Sequence, residues 1–235
     1  KQGMAAAKDF RERLHLGIQP LGDLVTLIEQ TTGHDVAVLD AETDEHGLTM
    51  RDPRSGVVFI SVARTRNAMR QRSTLAHELA HVEFQDWSAS SDLSARSPEE
   101  IRADAFARHL LIPKEAVTEH LGSSSQIGEG ELSALVQRYL VSPDIAAIQL
   151  HECGVIDTAL KNEWLSLSTR QLATRFGWMD LYRSLQAETD RTRAPQRLLS
   201  RTITGYEAGA VGAQTVSNLR GLPVETVVQE LTEAG

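Results

Sequence analysis

The sequence predicts an α+β protein, with a small mixed sheet among helices and a wholly helical C-terminal part. Three observations predict it. Strand-like runs occur in one stretch only, between Val36 and Val62. Apolar residues at helical spacing lie on both sides of that stretch. Beyond Gly130 no run alternates as a strand does, and Gly and Pro punctuate short helical patterns.

In chain order, Pro20 to Gln30 carries Leu21, Leu24, Val25, Leu27 and Ile28, a helical apolar stripe closed by Gly33. Strand-like runs follow at Val36 to Leu39, Gly47 to Arg51 and Val57 to Val62, with Asp52-Pro53 and Ser55-Gly56 as turn signals before the last. Arg70 to Phe84 sets Leu75, Leu79 and Val82 among charges and alanines and reads as a helix. Ser88 to Ser97 reads as a polar loop. Ser97-Pro98 then opens a helix, with serine at the cap and proline in the first turn. That helix ends near Leu111, because Pro113 cannot continue it. Gly122 to Gly130 reads as a flexible linker. Glu131 to Ile156 has the pattern helix, turn at Val141-Ser142-Pro143, helix, and Gln214 to Leu231 repeats it around Gly221-Leu222-Pro223. The expected units are residues 1–122, 123–157 and 158–235.

A hydrophobic fraction of 41% with 24% charged residues is an ordinary globular balance, sufficient for a real core in 235 residues. The net charge of −8 repels a phosphate backbone and argues against nucleic acid as the main partner. A single cysteine, Cys153, cannot form an internal disulfide, so a reducing compartment is expected. No apolar run approaches the roughly 20 residues that span a bilayer. Lys1 to Phe10 lacks the apolar core of a signal peptide, and Lys1-Gln2-Gly3 ahead of Met4 reads as an expression remnant. The expected location is the cytoplasm.

His77-Glu78-Leu79-Ala80-His81 is the pattern H-E-x-x-H. Residues four apart on a helix share a face, so both imidazoles can turn a nitrogen toward one metal ion about 2 Å away. Glu78 projects beside them, where its carboxylate can take a proton from water. Chance would place such a pentapeptide in on the order of 1% of chains this long. Its position inside an apolar-periodic helix after strands makes a metal site the better reading.

A catalytic zinc normally keeps three protein ligands and one open position. The downstream candidates are Glu83, Asp86, Asp92, Glu99, Glu100, Asp104 and His109. Glu100 has a second acid, Asp104, one turn later on the same face, where it can accept the other ring N–H of a ligand histidine. Ser97-x-x-Glu100 is equally a capping box, in which the Glu100 carboxylate would serve the Ser97 backbone. Spacing alone leaves both readings open, with Glu99 as the next candidate.

The run Arg72 to His81, followed by Glu100-Ile-Arg-Ala-Asp-Ala-Phe-Ala-Arg-His-Leu-Leu-Ile-Pro113, resembles the ImmA/IrrE family of metallopeptidases and the wider gluzincin group. The resemblance is specific through both motifs and weaker from about Pro20 to Ile156. It implies a minimal gluzincin-like core, metal ligands His77, His81 and Glu100, Glu78 as general base, and Asp104 hydrogen-bonded behind a ligand. Ala80 stands where the family often has glycine, and Asp104 where many members have Asn. The implied metal is Zn²⁺, although Mn²⁺ or Fe²⁺ suits the same donors. Gluzincins usually add a Tyr or His that stabilises the oxyanion, for which His109, Tyr139 and His151 are candidates.

The resemblance further implies a protein partner, a helix-turn-helix repressor of the XRE type whose cleavage would start a stress or mobile-element response. Two other classes compete. One is a metal-holding protein that sequesters a regulator without cutting it, which an intact Glu78 disfavours. The other is a DNA-binding regulator. The second helices of both helix-turn-helix-like units, Asp144 to Glu152 and Pro223 to Leu231, contain no Arg or Lys, against what a DNA-reading helix needs. Arg64, Arg66, Arg70 and Arg72 read either as a dock for an acidic partner or as a solvated helix start. Cys153 reads as a redox sensor or a buried thiol.

Overall fold

A computed structural model describes residues 1–41, 47–87, 97–122 and 127–234. The expected α+β class is what it shows. Two helices, α1 (Gln2–Arg13) and α2 (Leu24–Thr32), precede the strands β1 (Asp35–Leu39), β2 (Leu48–Arg51) and β3 (Val58–Ala63). The helix α3 (Ala68–Phe84) carries H-E-x-x-H, and α4 (Pro98–Leu111) carries Glu100 and Asp104. Short helices complete the chain: α5 (Lys114–Leu121), α6 (Glu129–Tyr139), α7 (Pro143–Glu152), α8 (Thr158–Trp164), α9 (Thr169–Arg175), α10 (Met179–Thr189), α11 (Gln196–Glu207), α12 (Ala213–Arg220) and α13 (Val224–Ala234). Most of the polar loop expected at Ser88 to Ser97 and the middle of the linker expected at Gly122 to Gly130 lie outside the described residues.

Local chemistry sets the boundaries. Helix α2 starts at Leu24 rather than near Pro20, because the Asp23 side chain accepts from Thr26 N–H. It ends where Gly33 adopts φ 73°, a left-handed conformation that costs a glycine nothing. Asn67 caps α3 by accepting from Arg70 N–H, and Ser97 caps α4 by accepting from Glu100 N–H. Helix α1 has no side-chain cap, and its Gly3 is buried against α4. A Cβ there would lie 2.7 Å from Phe106 N and nearer still to Arg102 O, so the two helices touch backbone to backbone. Gly3 is therefore part of the packing, whatever precedes it.

The sheet order is β1-β3-β2, with β1 parallel and β2 antiparallel to the central β3. Val36, Val38, Ile60 and Val62 are buried with Leu75, Leu79 and Val82 of α3. Fully buried side chains such as Leu79 and Phe106 each contribute roughly 1.5–3 kcal/mol by leaving water. Ala76 and Ala80 on α3, and Ala103 and Ala107 on α4, are also buried, small residues that let two helices approach closely. The apolar cluster is continuous from Ala7 in α1 to Tyr182 in α10, across residues 122 and 157.

The chain after α10 returns to the sheet. Val38 and Arg193 exchange both backbone hydrogen bonds at 2.8 Å, pairing the outer edge of β1 at that residue. Gln71 Nε2 donates to Thr189 O, and the buried Glu29 accepts from Val36 N and Gln196 N through one oxygen.

The four arginines before the motif do not form one surface. Arg72 is buried and donates to the carbonyls of Leu21, Gly22 and Leu140, and burial pushes its pKa down to about 10. Arg64 pairs with Asp40 and Asp190, while Arg66 and Arg70 are exposed. Helix α7 is mostly internal, with Pro143, Ala146, Ala147, Gln149 and Leu150 buried.

Candidate metal centre

The helical spacing on α3 brings His77 and His81 together, with ring centroids 4.9 Å apart and Nε2 atoms 3.2 Å apart. Glu100 reaches them from the first turn of α4. Its Oε2 lies 3.0 Å from His77 Nε2 and its Oε1 3.5 Å from His81 Nε2. One donor atom from each residue falls within 4.8 Å of the others, a separation that one ion at about 2 Å from each could occupy. Two neutral imidazoles and a carboxylate suit zinc, manganese or iron. The donor set fits a metal ion.

Only half of the capping box forms. Ser97 Oγ accepts from the Glu100 amide, while the Glu100 carboxylate faces the histidines. Glu99 instead turns back to Ser97, whose hydroxyl, after its own amide, holds that carboxylate below the usual range.

Asp104 stands one turn beyond Glu100, with Oδ1 3.0 Å from His77 Nδ1. This contact sets the ring so that Nε2 points at the shared centre. Burial alone would lower the His77 pKa. The Asp104 hydrogen bond and the carboxylates of Glu100, Asp104 and Glu78 outweigh burial and leave it raised.

Glu78 is buried on the side of α3 that meets β2. Thr49 Oγ1 donates to Glu78 Oε2 at 2.7 Å and lies 3.1 Å from Glu78 O. A Cβ on Gly47 would fall 2.8 Å from both Glu78 Cδ and Oε1. Gly47 and Thr49 thus shape the seat of the carboxylate. Sequence reading missed both, since strand alternation shows that β2 exists but not which helix residue its inward face meets.

Four other sequence candidates, the three proposed for the oxyanion and Cys153, are buried or engaged elsewhere. His109 is buried between α4 and α7, with Nδ1 3.0 Å from Gln149 Nε2 and Nε2 3.6 Å from Glu152. Burial, with Arg108 beside it, pushes its pKa down to about 4. Tyr139 is buried, and His151 Nε2 lies 3.1 Å from Thr158 Oγ1. Cys153 is half-buried, its Sγ 3.9 Å from Lys114 O, and burial raises its pKa away from a reactive thiolate.

Paired histidines one helical turn apart, with a carboxylate from the next helix and a glutamate between them, define a centre of the metallopeptidase type. The comparison with known families agrees. The chain belongs to the Peptidase_M78 family, described as the IrrE N-terminal-like domain, which matches residues 30–151. That match begins in α2 and ends within α7, so it takes in the sheet, both motif helices and most of the first helix-turn-helix-like unit. No curated protein gives a significant match to the chain. Among the described residues no helix is long and apolar enough to cross a membrane.

Proposed function

We propose that the protein is a zinc-dependent endopeptidase of the cytoplasm that cuts a helix-turn-helix repressor of the XRE type, starting a stress or mobile-element response. His77, His81 and Glu100 would hold the metal, Glu78 would act as general base, and Asp104 would orient His77. One observation carries this reading: the two Nε2 atoms and the Glu100 carboxylate converge, while the Glu78 carboxylate, close enough to act electrostatically on His77, is held by Thr49. When bound, zinc supplies Lewis acidity toward a carbonyl and toward water. Glu78 takes the proton of the attacking water on its carboxylate and passes it to the leaving amine. Thr49 holds one Glu78 oxygen by hydrogen bond and so aims the other.

The sheet offers a place for a peptide. β2 is an outer strand, and Leu48 and Met50 are about half exposed on it. An extended segment can add to such an edge through backbone hydrogen bonds. A protein rather than DNA as partner is supported by the burial of α7, whose charges are Asp144 and Glu152, and by the glutamates of α13. Residues 1–122 would then form the peptidase unit, with 123–157 and 158–235 helping to select the partner.

The test is to incubate the full-length protein and zinc with repressors of the XRE type, and to follow fragments by mass spectrometry. Glu78→Gln should retain zinc and binding but lose at least about 10²-fold in cleavage rate. Tight binding of an uncut repressor by the zinc-loaded wild type would overturn the peptidase reading in favour of sequestration.

A further inference from the structure

We propose that Asp86, anchored by Arg102, is the positioning residue for His81, as Asp104 is for His77. The inference rests on the metal reading above. His81 Nε2 faces the shared centre, so Nδ1 is the nitrogen turned away and needs an acceptor if the ring is to keep that orientation. The carboxylate on that side is Asp86, with Oδ2 3.8 Å from Nδ1. This is ion-pair range, and a sub-ångström rotation of either side chain brings it to the roughly 2.9 Å of an N–H···O bond.

The backbone puts Asp86 there deliberately. Gln85 ends α3 at φ 58°, a left-handed conformation that residues other than glycine rarely adopt. The reversal lets Asp86 N donate to His81 O at 2.8 Å, folding the residue back over the ligand it follows. Its carboxylate is then held from the opposite helix, because Arg102 Nη2 donates to the same Oδ2 at 2.7 Å. The Arg102 guanidinium carbon lies over the Phe84 ring, 4.2 Å from the centroid, which holds the side chain in place. The guanidinium so placed gives Asp86 a charge-assisted hydrogen bond that fixes its carboxylate beside His81. Arg102 also sits two residues beyond Glu100, so the pair ties the end of α3 to the helix that supplies the third donor.

The experiment measures zinc dissociation constants of the full-length protein by chelator competition, with ¹⁵N spectra of the histidine rings. Asp86→Ala should weaken zinc binding by about 10- to 100-fold and shift His81 in the metal-free protein toward a mixture of ring tautomers. Asp86→Asn and Arg102→Met should each weaken binding several-fold, and they carry the decision if Asp86→Ala does not fold. A merely structural ion pair would lower the melting temperature of the metal-free protein and leave zinc affinity and the His81 spectrum alone. Variants within twofold of the wild type in zinc affinity would overturn the proposal and leave the metal centre standing. A wild-type protein that binds no zinc would overturn the metal reading itself.

Discussion

Gly47→Ala tests whether the seat of Glu78 governs catalysis. The new methyl group would stand 2.8 Å from Glu78 Cδ and Oε1 and closer to Cγ, where ordinary contact begins at 3.4 Å. The obstacle lies at the root of the side chain, so Glu78 cannot avoid it by moving its tip alone. The carboxylate must retreat by roughly 1 Å, and a catalytic group displaced by that much loses about 10²-fold in rate. The three atoms nearest the added methyl all belong to Glu78 and none to His77, His81 or Glu100, so zinc content should remain one per chain. The assay compares cleavage rate with zinc content by elemental analysis, alongside melting temperature to confirm the fold. Wild-type turnover in Gly47→Ala would refute the reasoning, because it would mean the observed carboxylate position is not the working one. Loss of zinc with loss of activity would refute it differently, by showing that β2 supports the donors rather than the base.

Two further outcomes are expected. His81→Ala should lose zinc, whereas Glu99→Ala should keep it, since the Glu99 carboxylate is spent on Ser97; the reverse pattern at Glu99 and Glu100 would shift the third ligand by one residue. His109 has a pKa of about 4 in the fold against an ordinary 6.5, so between those values the unfolded chain takes a proton that the fold refuses. Its contribution is complete above pH 6.5 and declines toward pH 4 by on the order of 2–3 kcal/mol, so unfolding midpoints should fall more steeply with acid in the wild type than in His109→Gln.

The two motif helices and all three strands were legible because their signals are local. Helical spacing of His77 and His81, serine and proline at the start of α4, and glycine after α2 each act within one turn of chain. What stayed hidden depends on partners distant in sequence. Helix α1 carries polar residues and no capping side chain, and only its contact with α4 explains the buried Gly3. Arg72 sits in what reads as a charge run, yet it is buried because three carbonyls from two separate segments meet it. Asp86 looked like one ligand candidate among several. The left-handed turn at Gln85, which no residue type announces, directs it to the back of His81 instead. Glu100 was ambiguous between cap and ligand because both readings claim its carboxylate, and only the fold shows that this group faces the histidines while its amide meets Ser97.

The exchange of hydrogen bonds between Val38 and Arg193 has a consequence for how the molecule is made. An early strand waits for a segment near the far end of the chain before its edge is closed, and contacts so distant in sequence form slowly. During synthesis the half-built protein presents an unpaired row of amides and carbonyls flanked by Val36 and Val38, the surface on which nascent chains pair wrongly with one another. A nick between α10 and α11 in the finished protein would recreate that hazard by freeing the strap. Biogenesis and resistance to proteolysis therefore both draw on the short connection between α10 and α11, which supplies none of the metal donors.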